Sequence, residues 1–191
     1  MDIIFIRHAE GKHTIDLPNS LYLEDPTLTV KGESQARSLQ QTFSLTLDDL
    51  MVISPMRRTL QTASLFAHPI MCESIVHPFV GPRVFPLNKS GNTLPCDQLL
   101  AIEMIREDFP SFHIHQADDP HLWKNGINTI SQTEFELIAR DFLNWCKSLK
   151  KDRLFIVSHD GTITAYRELI KNVALTRDDF LHDAGWVIEK I

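Results

Sequence analysis

Cysteine is scarce in this chain. Its three copies, Cys72, Cys96 and Cys146, are odd in number, widely spaced and without any Cys-x-x-Cys pair. That pattern argues against a disulfide framework and a zinc knuckle, and leaves buried or half-buried free thiols. His68, His113, His115, His121 and His182 are too scattered for a metal site and read as structural. Long apolar runs are missing too: nothing approaches the ~20 apolar residues of a membrane span. The opening residues, Met1-Asp2-Ile3-Ile4-Phe5-Ile6-Arg7-His8, form too short an apolar run for a signal peptide and lack a basic lead. The expectation is a cytoplasmic protein with no membrane partner.

Positive charge is in deficit. Against 25 Asp and Glu stand 19 Lys and Arg, a net charge of −6. An acidic surface repels nucleic acid, whose affinity comes largely from basic contacts to phosphates. It does not exclude a small anionic ligand, because a few arginines in a cleft focus a local positive field. Internal repeats and low-complexity tracts are absent.

The 191 residues suit one domain, at most with a small inserted lid. Ile3-Ile4-Phe5-Ile6, Leu50-Met51-Val52-Ile53 and Leu154-Phe155-Ile156-Val157 are short apolar runs that stop at polar residues. They read as strands buried on both faces. A further strand is expected within 70–76 and a last one at 185–188. Helical patterns run from Thr29, as N-cap, to about Phe43, and over 57–67, 98–108, 133–150 and 161–170. Residues 79–97 carry Pro82, Pro86 and Pro95, and 113–128 have no period, so both segments read as loops, with Trp123 as a packing anchor. Strands alternating with helices predict a three-layer α/β/α sandwich with a mostly parallel sheet, residues 79–128 making a small cap.

In such sheets ligands bind beyond the carboxyl ends of the strands. Three of the apolar runs end there in polar groups: Arg7-His8, Ser54 followed by Arg57-Arg58, and Ser158-His159-Asp160. If the strands are parallel, two histidines and two or three arginines share one small volume. Packed cations repel, and a bound phosphate resolves the conflict because guanidinium forks match its oxygens. Neighbouring positive charge also favours a neutral, nucleophilic imidazole. The arginines would then neutralise charge on the equatorial oxygens of a transferring phosphoryl group. The plainer readings are a helix-surface cation for Arg57 or Arg58, a helix N-cap for Asp160 and an exposed loop position for His13.

These residues resemble a known family. Phe5-Ile6-Arg7-His8-Ala9-Glu10-Gly11 looks like the RHG signature of the histidine phosphatase superfamily, the phosphoglycerate-mutase-like proteins. Asp25-Pro26-Thr27-Leu28-Thr29 with Gly32 and Gln35-Ala36, then Ser54-Pro55-Met56-Arg57-Arg58-Thr59-Leu60-Gln61-Thr62-Ala63, then Val157-Ser158-His159-Asp160-Gly161, are similar to three further stretches of that family, in its order. The resemblance implies a phosphohistidine on His8, a pocket of Arg7, Arg58 and His159, and no metal or other cofactor.

The chain departs from the family pattern in four places. Ala9 replaces a glycine, which is tolerable if φ stays negative there. Thr14 stands where many members carry a phosphate-touching asparagine; its hydroxyl and the neighbouring His13 are candidate substrate contacts. The glutamate acid many members carry after the third strand is missing, since His77-Pro78-Phe79-Val80-Gly81-Pro82-Arg83 holds no carboxylate. Finally, Asp160 follows His159, as in the acid-phosphatase branch, whose aspartate donates a proton. Asp160 is therefore the expected general acid, with Asp97, His77 and Glu103 as alternatives. Arg83 is a further candidate substrate contact.

The expectation is a phosphatase for a small phosphorylated substrate, with His8, Arg7, Arg58, His159 and Asp160 as its catalytic residues. A phosphoglycerate mutase is the runner-up. A weakly active phospho-ligand binding module is the third reading, prompted by the missing glutamate.

Overall fold

The computed structural model describes residues 1–87, 92–115 and 120–191. Six strands form one sheet: β1 (Asp2–Arg7), β2 (Leu50–Ile53), β3 (Glu73–Val76), β4 (His113–Ile114), β5 (Arg153–Ser158) and β6 (Trp186–Lys190). Their order is β4-β3-β2-β5-β1-β6, all neighbours parallel except β6, which runs antiparallel to β1. The helices are α1 (Val30–Thr42), α2 (Arg57–Ala67), α3 (Ile102–Asp108), α4 (Pro120–Asn125), α5 (Gln132–Ser148) and α6 (Asp160–Lys171).

The unbroken apolar runs of β1, β2 and β5 follow from their central position. Successive side chains point to opposite faces, so a strand covered on both sides needs an apolar residue at every position. Ile4, Ile6, Met51, Ile53, Phe155 and Val157 pack with Leu39 of α1 and Leu60, Ala63 and Phe66 of α2. Ile3, Phe5, Leu50, Val52, Leu154 and Ile156 pack on the other face with Phe135 and Phe142 of α5 and Ile163 and Tyr166 of α6. Each such side chain contributes about 1.5–3 kcal/mol on burial. The result is the expected three-layer α/β/α sandwich. No helix among the described residues is long and apolar enough to cross a membrane.

The ends of the elements obey local rules. Thr29 caps α1, its side chain accepting from the Gly32 amide at 2.9 Å. Gly32 is required by close approach: a Cβ there would lie 2.1 Å from the Glu10 carbonyl oxygen. Ala9 is not among the residues with positive φ, so it meets the condition for replacing glycine. Trp123 packs against the core as expected.

Two readings of the cap segment need correction. Residues 113–128 are not all loop: His113–Ile114 pairs with β3 as an edge strand, and Pro120–Asn125 is helical. A two-residue strand is too short to show a period. The helix expected from Gln98 begins only at Ile102, because the Leu100 amide donates to the Pro55 carbonyl at 3.0 Å and holds the chain extended. Residues 88–91 and 116–119 of the expected cap lie outside the described residues.

The topology places a crevice at one edge. The chain leaves β1 toward β2 on one side and leaves β5 toward β6 on the other, so a gap opens beyond the carboxyl ends of the adjacent β1 and β5.

Candidate active site

A cleft of about 430 Å³ lies at that edge. At its base stand Arg7 and His8 from the end of β1, Arg58 from the first turn of α2, His159 from the end of β5, and His13 from a 3-10 turn over 12–14.

His8 is held by its backbone, whose amide donates to the Ser158 carbonyl at 2.9 Å. Its ring Nδ1 lies 2.8 Å from the Ala9 carbonyl oxygen. A carbonyl can only accept, so Nδ1 carries the proton and Nε2 keeps a free lone pair in the neutral ring. Burial pushes the His8 pKa well below its ordinary value, and Arg58, His13 and Arg7 push it the same way. His159 faces His8 with ring centroids 5.2 Å apart. Its Nδ1 lies 3.3 Å from Arg58 Nη2, which can only donate, so its Nε2–H points to Ser54 Oγ at 2.8 Å. Burial and then Arg58 hold the His159 pKa well below the ordinary value as well.

The two arginines are anchored at one end and open at another. Arg58 donates through Nη1 to the Cys96 carbonyl at 2.7 Å and through Nη2 to Asp97 Oδ1 at 2.8 Å. Arg7 donates through Nη1 to the Leu181 carbonyl at 2.7 Å, and its Nη2 lies 3.2 Å from Asp160 and 3.4 Å from Asp183. The Nε atoms of both arginines, and Nδ1 of His13, are buried with no hydrogen-bond partner among the described residues. Buried polar atoms are nearly always satisfied, so three such nitrogens on residues lining one basin point to an acceptor that belongs there.

The other candidates separate. His13 is 8% exposed, not a solvent-facing loop residue, and burial followed by Arg58 and Arg7 takes its pKa down to about 3. Asp160 lines the cleft, as does Asp97. Asp160 is not the N-cap of α6; His159 holds that position, and the Asp160 carboxylate accepts from the Gly161 amide at 2.7 Å. His77 is 2% exposed beneath the cleft wall, stacked on His115 at 4.1 Å, and Glu103 is exposed on α3; neither lines the cleft. The acid candidates thus narrow to Asp160 and Asp97. Thr14 lines the cleft, but its hydroxyl donates to the Gly11 carbonyl at 2.9 Å.

Arg83 requires a correction. It lines the cleft, yet its guanidinium turns away to the carbonyls of Ile127 (3.0 Å) and Ile130 (3.2 Å) and to Gln132 (3.2 Å), over the Phe135 ring. Burial lowers its pKa to about 10. Its guanidinium braces the wall rather than facing the basin. Arg57 is not a free surface cation either, since it pairs with Asp25 and with Asp108.

Sequence reasoning missed the outer part of the cleft: Leu17, Leu21, Val84, Leu94, Arg177 and Phe180. Loop residues with no period carry no signal of their own; only the turns of the chain around them bring them together. Among the described residues, no three His, Cys, Asp or Glu side chains are grouped to hold a metal ion.

Known proteins resemble this chain in sequence and in fold. The model of the histidine phosphatase superfamily (branch 1) matches residues 3–79, which include Arg7, His8 and Arg58. Phosphoglycerate mutase-like protein 1 of Arabidopsis thaliana is 27% identical over 205 residues, covering 83% of this chain and 68% of the relative. The alpha-ribazole phosphatase of Shigella flexneri shares the fold with a TM-score of 0.64 at 17% identity, covering 100% of this chain and 91% of the other. Phosphoserine phosphatase of Entamoeba histolytica, solved with 3-phosphoglyceric acid, does so with a TM-score of 0.62 at 21% identity over 98% and 89% of the two chains. Over residues 3–79, about two fifths of its length, the chain is similar to the histidine phosphatase superfamily.

Proposed function

We propose that this chain hydrolyses phosphate monoesters through a phosphohistidine on His8. The observation that carries the reading is the basin itself: a neutral imidazole with a free Nε2, ringed by Arg7, Arg58, His13 and His159, three of whose buried nitrogens lack acceptors. A phosphate supplies those acceptors.

In the first step His8 Nε2 attacks phosphorus, a P–N bond forms and the ester P–O bond breaks. The leaving oxygen takes a proton from Asp160, with Asp97 the second carboxylate in reach of the cleft. Arg7 and Arg58 hold the phosphoryl oxygens as charge spreads over them, and His159, hydrogen-bonded to Ser54 and Arg58, backs the Arg58 guanidinium. In the second step water attacks phosphorus, gives a proton back to the carboxylate, and the P–N bond breaks to release phosphate and neutral His8.

The test is turnover of p-nitrophenyl phosphate by the purified chain. His8→Ala should cost at least about a thousandfold in kcat, as loss of a covalent nucleophile does elsewhere. The wild-type protein should also yield a base-stable, acid-labile phosphoenzyme. Retained turnover in His8→Ala overturns the proposal. A mutase reading is favoured only by the names of the Arabidopsis relatives. Isomerisation of 3-phosphoglycerate with a bisphosphoglycerate primer, in place of phosphate release, would select it. Phosphate or vanadate binding without turnover would mark a binding module. Asp160→Asn and Asp97→Asn, compared on esters with good and poor leaving groups, identify the proton donor: its loss hurts the poor leaving group more.

A further inference from the structure

The cleft is larger than a phosphate needs. At about 430 Å³ it falls within the roughly 300–1,000 Å³ of small-molecule sites. Besides the histidines and arginines, its lining includes the apolar side chains of Leu17, Leu21, Val84, Phe85 and Phe180. Phe85 and Phe180 form an aromatic pair with centroids 6.0 Å apart. Leu17 is 61% exposed, an apolar surface with little to cover it.

Arg177 adjoins this apolar lining through Phe180. It is exposed, lines the cleft, and lays its guanidinium over the Phe180 ring at 5.6 Å. Its situation differs from that of every other arginine lining the cleft. Arg7 and Arg58 are paired with carboxylates, and Arg83 is spent on carbonyls and Gln132. The Arg177 guanidinium has neither a hydrogen-bond nor an ion-pair partner among the described residues, and Asp179 nearby is turned back onto Thr176 in a capping box. Stacked on an aromatic ring, the guanidinium keeps its planar donor edge free for an incoming anion.

We propose that Arg177 is a specificity residue, which receives a second anionic group carried at the far end of an apolar, ring-sized leaving group lying along Phe85 and Phe180. The inference rests on the phosphate-site reading and deepens it. The substrate class is then a phosphate monoester with an apolar body and a distal carboxylate or second phosphate, in contrast to a small sugar phosphate, which is polar throughout.

The test uses binding of non-hydrolysable probes, measured by calorimetry on the full chain, so it does not depend on turnover. Benzylphosphonate supplies the phosphate mimic and the ring alone. Para-carboxybenzylphosphonate and para-xylylenebisphosphonate add a distal carboxylate or a distal phosphonate. The wild-type protein should bind at least one of the two doubly anionic probes about fivefold more tightly than benzylphosphonate, the scale of a single exposed ion pair. The tighter of the two names the anion. Arg177→Ala should erase that preference and leave benzylphosphonate within twofold, and Arg177→Lys should restore part of it. Phe180→Ala should weaken all three probes. Equal affinities in the wild-type protein, or a preference that survives Arg177→Ala, overturns the inference while leaving the phosphate site intact. Failure of all three to bind overturns the phosphate site and this inference with it.

Discussion

Two walls face each other across the cleft, and they are built on different principles. The inner one is the strand-end basin of His8, Arg58 and His159, positioned by backbone ladders and tuned by charge. The outer one, which includes residues 82–85, is positioned by packing and by hydroxyl clamps on the three residues before it, 79–81. Ser158, Thr162 and Tyr166 donate to the carbonyls of Val80, Gly81 and Phe79 at 2.7, 2.6 and 3.0 Å. Gly161 lets the outer wall approach, since a Cβ there would fall 2.2 Å from the Arg83 carbonyl oxygen. The comparison teaches that one short segment, 158–162, serves both walls: His159 works in the basin while its neighbours fasten the wall.

That contrast is breakable. Arg58→Met should have the largest effect, lowering kcat/KM on p-nitrophenyl phosphate by about 10²–10³. Because Arg58 is the leading charge that depresses His8, the same variant should move the His8 titration upward, toward its ordinary value, and raise the acid limb of the pH–rate profile with it. An unmoved His8 resonance in an NMR titration would contradict the electrostatic account of the basin.

Acid should come next. His8, His13 and His159 in the basin, and His77 beneath the wall, all have lowered pKa values, with burial as the first cause. In the unfolded chain each takes up a proton near its ordinary pKa of about 6.5, whereas the folded chain resists it. The unfolded state therefore binds more protons, and stability falls as pH drops below about 6.5, for His13 down to about 3. A loss of a few kcal/mol between pH 7.5 and 5.5 is expected in urea unfolding, at about 1.4 kcal/mol per unit for each such group. His13→Gln should remove part of that slope.

The wall should respond through stability. Gly161→Ala forces two backbones apart and should cost about 3 kcal/mol, roughly 6–12 °C in Tm for a chain of this size. Smallest is Arg83→Met. It strips donors from the buried Ile127 carbonyl and the half-buried Ile130 carbonyl, at about 1–3 kcal/mol, and should leave KM within twofold. A tenfold rise in KM would restore Arg83 as a substrate contact and break the division between the walls.

Much of the basin was legible in the sequence because Arg7-His8 and Ser158-His159 end apolar runs and Arg57-Arg58 follows one closely; His13, in a 3-10 turn, has no such signal. Arg7-His8, Arg57-Arg58 and Ser158-His159 needed only the parallel arrangement of three strands to converge. The expected roles of Arg83 and Thr14 were less legible, since a side chain's direction depends on which acceptor lies nearest. Ile127, Ile130 and Gln132 are more than forty positions from Arg83 in the chain, and their nearness to it is set by tertiary packing. The edge strand His113–Ile114 escaped for a related reason: it exists through its ladder to β3, not through a pattern of its own.

The sequence by itself determined the sandwich, because full burial of a parallel strand demands apolar residues at every position, and it determined which histidines and arginines end those strands. Tertiary structure alone decided what surrounds them. It tied Asp97 to Arg58 and Asp160 to Arg7, turned Arg83 into a brace, and brought Arg177 and Phe180 to the mouth of the cleft. The physical reason is that strand burial is a local, periodic demand written residue by residue. The partner of a buried charge is whichever oxygen the folded chain brings within about 3 Å.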